Sequence, residues 1–277
     1  MKKRHGATLL IAILVAATAI IWWPRRPEPP PPLVVGGELP APCRNVAFEA
    51  VTYVVCEIDL RADSIGVFHA GADGKPFGSL EAFDTAVAGE GRPVLLAMNG
   101  GMYHEDLSPV GLLVEDGVEK SPLNLADADG NFFLKPNGVF LVGKDGKAAV
   151  MESSAYAAAR PDVAFATQSG PMLVIDGQIH PRFEANGTSR YVRNGVGMRD
   201  ENTVVLAVSR SEVSLGSFAR LFRDALGCRN ALFLDGAVSA LSDGKRMIVG
   251  GKYPAGPIIS VSAKPITSVS ARQPLTQ

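Results

Sequence analysis

Net charge is the first thing this sequence lacks. Twenty-seven lysines and arginines face 28 aspartates and glutamates, which leaves -1 at neutral pH. A nucleic-acid binder carries a basic excess or patch, so the balance argues against that class. Histidine is scarce, with four in 277 residues, and no His/Asp set has familiar metal-ligand spacing. Cysteine is scarcer still, at three. Stretches with a helical period are few, and no internal repeat is visible. What is plentiful is glycine (29) and proline (20), a composition that points to many short strands joined by tight turns. The chain is long enough to bury a full core, in one large domain or two small ones.

The one long apolar run lies at the start. Lys2, Lys3 and Arg4 precede an uncharged stretch over 7–23, closed by Trp22, Trp23, Pro24, Arg25 and Arg26. This pattern is an export segment. Ala17-Thr18-Ala19 offers a cleavage site, whereas the tryptophans and second basic pair resemble the far end of a membrane span. Both readings, signal peptide and signal anchor, stay open. Either way the positive-inside rule places the remainder outside the cytoplasm, in the periplasm or anchored to the outer face of the inner membrane. Residues 27–32 are a stiff proline-rich spacer, so 1–32 stand apart from a domain expected over 42–263. The polar tail over 264–277 is expected to be loose.

In an oxidising compartment Cys43 and Cys56 are candidates for a disulfide. They flank a strand-like stretch over 46–55, and a hairpin would bring them together. The bridge would close a short loop and add about 3 kcal/mol in the chain-entropy model. Cys228 is expected to be free and buried. Three helices are expected, over 79–88, 153–160 and 217–226, with Ser217 as the cap of the third and Gly227 as its stop. Strands are expected over 94–98, 111–114, 132–134, 139–142, 163–167, 172–175, 192–196 and 204–208. Strands dominate without regular helix alternation. The expected class is therefore α+β: a strand-rich single domain with mixed sheets and about three helices.

The chemistry should lie where buried strands stop at a polar residue and a glycine. Ala231-Leu232-Phe233-Leu234 reads as a strand buried on both faces, and it runs into Asp235 and Gly236. An acid there is held rigidly at the edge of the core, within reach of a ligand. Four other stretches share the pattern: Asn99-Gly100-Gly101, Lys135-Pro136-Asn137-Gly138, Gln168-Ser169-Gly170-Pro171 and Arg193-Asn194-Gly195. Glycine lets a backbone approach a ligand closely. Asn, Gln and Ser supply neutral hydrogen bonds, and Arg can grip a phosphate in a bidentate fork. Each stretch alone is a turn by default; five with matched polar residues are harder to read so.

Asn99-Gly100-Gly101-Met102-Tyr103, Gln168-Ser169-Gly170-Pro171-Met172-Leu173, Arg193-Asn194-Gly195-Val196-Gly197 and the run from Asn230 to Gly236 resemble, in that order, the phosphodiester glycosidase family. The resemblance spans roughly 48–261. One departure is Ala237, where the family often has a second glycine, and residues 135–140 resemble a bacterial branch. The resemblance implies cleavage between a sugar's anomeric carbon and a phosphate that carries a second group. Phosphate is a good leaving group, so stabilising its developing charge should matter more than a strong general acid. Arg193 is the candidate for that role, and Asp235 for nucleophile, base or stabiliser of an oxocarbenium-like state. Asn99, Gly100, Gly101, Lys135, Asn137, Gln168, Ser169, Gly170, Asn194, Gly236 and Ser239 are the candidates for binding sugar hydroxyls or phosphate oxygens.

Plainer readings stand beside these. Arg193 is also a candidate ion-pair partner of Asp235. His104 is a candidate acid or metal ligand, though lone histidines are usually neither. Glu105 and Asp106 either face solvent or supply a second carboxylate, and Asp176-Gly177 reads as a hairpin turn. Lys135 holds a phosphate or is solvated. No cofactor is expected, and a calcium held by loop oxygens stays open. The expected partner is a cell-envelope or extracellular glycan phosphodiester, with the oligomeric state open. The rivals are a non-catalytic envelope module that binds glycan or phosphate, and a metal-dependent phosphodiesterase.

Overall fold

Alternation of apolar residues builds three sheets around one interior. The structure is a computed structural model that describes residues 38–90 and 94–264. The export segment and spacer expected over 1–32, and the tail beyond Lys264, lie outside the described residues. Among the described residues the chain forms β1 (Cys43–Phe48), β2 (Val51–Asp59), β3 (Asp63–Phe68), α1 (Leu80–Gly89), β4 (Leu96–Asn99), β5 (Leu113–Glu115) and β6 (Val118–Ser121). Then come β7 (Gly138–Gly143), β8 (Ala148–Glu152), α2 (Ser153–Ala159), β9 (Val163–Ser169), β10 (Met172–Ile175) and β11 (Gln178–Ile179). β12 (Asn194–Asp200), β13 (Thr203–Ser209) and α3 (Leu215–Arg220) follow, and α3 runs on into a π-helical turn, Leu221–Ala225. The chain ends with β14 (Asn230–Phe233), a 3-10 turn Gly236–Val238, β15 (Leu241–Ser242), β16 (Met247–Val249) and β17 (Ile258–Ala263).

The seven-stranded sheet has the order β1-β2-β13-β12-β14-β10-β11, and the two five-stranded sheets have the orders β16-β15-β4-β17-β3 and β6-β5-β9-β7-β8. The ladders between these strands are antiparallel. The expected strand-rich α+β domain with three helices is therefore what forms. Side chains alternate across a strand, so β2 sends Val54, Cys56 and Ile58 into an interior shared with Leu96, Met98, Phe140 and Ile259 of the other sheets. Tyr53 and Val55 face the opposite way, under Phe218 and Phe222 of α3 and its π turn. α1 covers one five-stranded sheet through Leu80, Phe83 and Val87, and Tyr156 of α2 covers the other.

Several local expectations hold. Ser79 Oγ accepts from Ala82 N at 3.1 Å and caps α1. The β1–β2 hairpin sets Cys43 opposite Cys56, and the two are bonded. Cys228 is buried and free. Asp176 and Gly177, both at positive φ, turn β10 into β11. Two expectations are corrected. Residues 132–134 are turns, not a strand. The third helix is capped by Ser214, not Ser217: Ser214 Oγ accepts from Ser217 N at 3.1 Å. The helical period starts to show only at Phe218, because Gly216 occupies the first turn. That glycine has a packing role, since a Cβ there would lie 2.3 Å from the Glu184 carbonyl.

Candidate active site

β14 is buried at Ala231, Leu232 and Phe233, and the chain leaves the sheet at half-buried Asp235. Hydrogen bonds to the turn at 99–101 hold its backbone there. Asp235 N donates to the Gly100 carbonyl at 3.2 Å, and Asn99 Nδ2 donates to the Asp235 carbonyl at 2.8 Å, across 136 residues of sequence. β4 belongs to a five-stranded sheet and β14 to the seven-stranded one, so Asp235 sits at the seam between two sheets. Gly236 is required there, because a Cβ would lie 2.5 Å from the Phe233 ring. The turn at 99–101 also meets the end of β9: a Cβ on Gly101 would lie 2.3 Å from the Gln168 carbonyl. A Cβ on Gly170 would lie 2.7 Å from Asn137 Cβ. The polar glycine stretches thus do converge.

Their side chains are committed inside the protein. Asn194 Nδ2 donates to both the carbonyl and Oδ1 of Asn99, each at 2.9 Å. Asn99 Oδ1 also accepts from Ala240 N at 2.8 Å. Ser239 Oγ lies 3.0 Å from the Val192 carbonyl and 3.3 Å from Asn194 Oδ1. All three residues are buried. Gln168 Oε1 accepts from Leu112 N and Asn124 N, and its Nε2 donates to the Asn124 carbonyl and Ser153 Oγ. That uses both donors and both acceptor positions of the amide. Asn137 Nδ2 donates to the Phe132 carbonyl. These are the groups expected to contact sugar or phosphate, and the structure engages them in holding the strand ends.

The glycines behave similarly. A Cβ on Gly195 would lie 2.9 Å from the Leu232 carbonyl of β14 and 3.2 Å from the rings of Phe218 and Phe222, so the close approach is by the neighbouring strand, α3 and its π turn. Lys135 Nζ bonds the Leu125 carbonyl and Asp127 Oδ1, the latter at 2.6 Å, on the surface. His104 is exposed in a turn closed by Leu107 N donating to its carbonyl. Asp106 fixes the same turn through Ser108. Ser169 is buried, and its hydroxyl has no hydrogen-bond partner among the described residues; the same holds for Thr167 Oγ1.

Arg193 is 1 % exposed. Its Nε donates to the Val213 carbonyl at 2.8 Å and its Nη2 to the Ser189 carbonyl at 2.9 Å. The side-on edge that would form a bidentate fork is therefore taken by the protein, and Nη1 is the nitrogen with no hydrogen-bond partner among the described residues. The guanidinium lies 5.0 Å from the Phe233 ring centroid. Among the described residues it forms no ion pair, so the expected alternative of an Arg193–Asp235 pair is not seen. Burial pushes its pKa down to about 10, and the group remains a cation at neutral pH.

Tyr103 was not singled out from the sequence, although it directly follows Asn-Gly-Gly and Met102. Its ring packs over Gly256, where a Cβ would lie 2.6 Å from Tyr103 Cβ. Its hydroxyl donates to the Pro254 carbonyl at 2.6 Å. Burial, and then the nearby Asp235 charge, raise its pKa well above the ordinary tyrosine value, which marks it as a neutral neighbour of the aspartate. Among the described residues no three His, Cys, Asp or Glu side chains gather as a metal-ligand set. A cavity of about 500 Å³ lined by Leu112, Val114, Tyr156 and Arg160 is bounded by none of the site residues.

The phosphodiester glycosidase family model matches residues 93–256. The "uncharacterized protein YigE" of Escherichia coli (strain K12) is 35% identical over 207 residues, covering 75% of this chain and 80% of that protein. The catalytic domain of zebrafish N-acetylglucosamine-1-phosphodiester alpha-N-acetylglucosaminidase, auto-inhibited by its pro-peptide, has a similar fold, with TM-score 0.58 and 14% identity over 80% of this chain and 82% of that one. A hypothetical protein from Synechocystis aligns with TM-score 0.55 and 14% identity over 80% of this chain and 61% of that one. With the family model matching more than half of the residues, including every motif gathered at the seam, the chain belongs to the phosphodiester glycosidase family.

Proposed function

We propose that this hydrolase cleaves a sugar-1-phosphodiester at the anomeric C–O bond, outside the cytoplasm, in a domain spanning 42–263. Water replaces the phosphate at the anomeric carbon, giving a free sugar and a phosphomonoester. The observation that carries this reading is a buried guanidinium with no anionic partner among the described residues, set beside the strand that ends at Asp235. An unpaired buried charge is expensive, and an arriving phosphate would offset that cost. Arg193 acts on the leaving phosphate through its field and through Nη1, in a site of low dielectric where such stabilisation is strong. Asp235 stabilises the positive charge that develops on the sugar, or forms a bond to it. Asn99, Asn194 and Ser239 act as positioning residues, because they lock the backbone on both sides of Asp235.

The export of the chain rests on the basic start and apolar run at its N-terminus, and an envelope glycan is the substrate such a location offers. Turnover in ¹⁸O-labelled water tests the reaction. Label in the released sugar supports anomeric cleavage, whereas label in the phosphate means P–O cleavage and overturns it.

A further inference from the structure

Tyr191 lies at the outer side of Arg193. It is 48 % exposed, the one aromatic among the large apolar side chains that stand out into solvent in the described residues. It is not a loose surface group. Its backbone exchanges hydrogen bonds with Val213, N to O at 3.2 Å and O to N at 2.8 Å, and the Val213 carbonyl also accepts from Arg193 Nε. Tyr191 and Arg193 are two residues apart in a segment leading into β12, and the guanidinium carbon lies 5.5 Å from the Tyr191 ring centroid. The same carbon lies 5.0 Å from Phe233, whose ring bears on Gly236 beside Asp235. Arg193 is therefore in contact with two rings: a buried one that leads to Asp235, and an exposed one that leads to solvent.

We infer that Tyr191 is a specificity-determining residue, a rim platform that stacks against a ring in the group beyond the phosphate. The inference rests on the reading above, in which the anomeric carbon lies at Asp235 and the phosphate at Arg193. The next group of the substrate then meets the exposed tyrosine. A half-exposed aromatic ring held in place by its backbone offers contact area with little side-chain entropy left to lose. The chemistry it favours is a ring with a flat apolar face, either a pyranose or an aromatic ring. A small alkyl group would gain little there.

The test measures binding of three phosphomonoesters to the full-length chain by calorimetry: methyl phosphate, glucose 6-phosphate and phenyl phosphate. We expect one or both ring-bearing esters to bind about three- to tenfold more tightly than methyl phosphate, the scale of one aromatic stack. In Tyr191→Ala that preference should fall to within about twofold, and in Tyr191→Phe it should persist, since the ring remains. Preference for glucose 6-phosphate alone identifies a pyranose, and for phenyl phosphate alone an aromatic group. The inference is overturned if no probe binds, if the wild type shows no preference, if the preference survives Tyr191→Ala, or if Tyr191→Phe loses it. Turnover of an α-N-acetylglucosamine 1-(methyl phosphate) diester is measured in parallel. A ring preference that depends on Tyr191 without turnover leaves the platform standing and excludes this diester as a substrate.

Discussion

Replacing Arg193 by methionine separates a catalytic charge from a structural one. A guanidinium pushed by burial down to about 10 from its ordinary value carries a cost of roughly 3 kcal/mol. The sign follows from the direction. The folded pKa is below the unfolded one and the group is a cation, so the cost is fully present at neutral pH and disappears only above both values. Methionine removes that cost and keeps much of the volume against Phe233. It also strips the Ser189 carbonyl of its Arg193 donor, which returns about 1–3 kcal/mol of destabilisation, while the Val213 carbonyl loses one donor and keeps the Tyr191 N–H. The two effects largely cancel. The net stability change should stay within about 3 kcal/mol of zero, a Tm shift of no more than about 10 °C. Activity should behave differently. Loss of the charge proposed to face the leaving phosphate should lower kcat by about 100- to 1,000-fold. Thermal unfolding and sugar release, measured on the same preparation, check both halves. A variant that keeps activity within about fivefold, or one that simply fails to fold, would refute the reasoning. Arg193→Lys should not restore turnover, because an ammonium cannot span the two carbonyls as the planar guanidinium does.

Asp235→Asn should cut turnover at least about a hundredfold, the scale for a positioned catalytic group, with a much smaller effect on Tm, because the asparagine keeps the backbone bonds to Asn99 and Gly100. Asn99→Ala removes partners from Ala240 N, Asn194 Nδ2 and the Asp235 carbonyl at once; it should cost on the order of 2–4 kcal/mol by denaturant unfolding and lower kcat as well. Equal kcat in a folded Asn99→Ala variant would show that the network does not position the site. Glu57, with a side chain 28 % exposed, is held down to about 2 by hydrogen bonds from Arg199 and then Arg44, against burial. A depressed carboxylate stabilises above its unfolded value near 4.5 and loses that contribution as pH falls toward 2. After allowance for solvent screening, Glu57→Gln should flatten the acid limb of stability by about 1–2 kcal/mol. Mass mapping without reduction should find Cys43 bonded to Cys56 and Cys228 as a thiol; a bridge to Cys228 would contradict the fold.

Much of this protein was legible in its residues. Strand-dense composition set the class, and the alternation in β2 and the four-residue run in β14 marked buried strands, because a strand's two faces are written directly into neighbouring positions. The Cys43–Cys56 pair was legible for the same local reason, since a short hairpin controls which residues face each other. The polar glycine stretches were also found from the sequence, and they do meet at one seam. What their atoms do there was decided only by the tertiary structure. Asn99, Asn194, Gln168 and Ser239 have the donors and acceptors that bind a sugar, but the same groups satisfy buried backbone from distant strands, and a sequence cannot say which partner arrives first. Gly195 has the freedom to approach a ligand and instead admits Phe218 and Phe222. Arg193 reads as a phosphate fork, yet the carbonyls of Ser189 and Val213 occupy that edge. Hydrogen-bond capacity is a property of each residue, whereas its consumption depends on contacts made across 95 or 136 residues of chain. Tyr103 and Tyr191 were overlooked because an aromatic ring carries no local mark of whether it will lie in a core or beside an aspartate or an arginine; only packing against Gly256 and the Arg193 guanidinium gives them a place at the site.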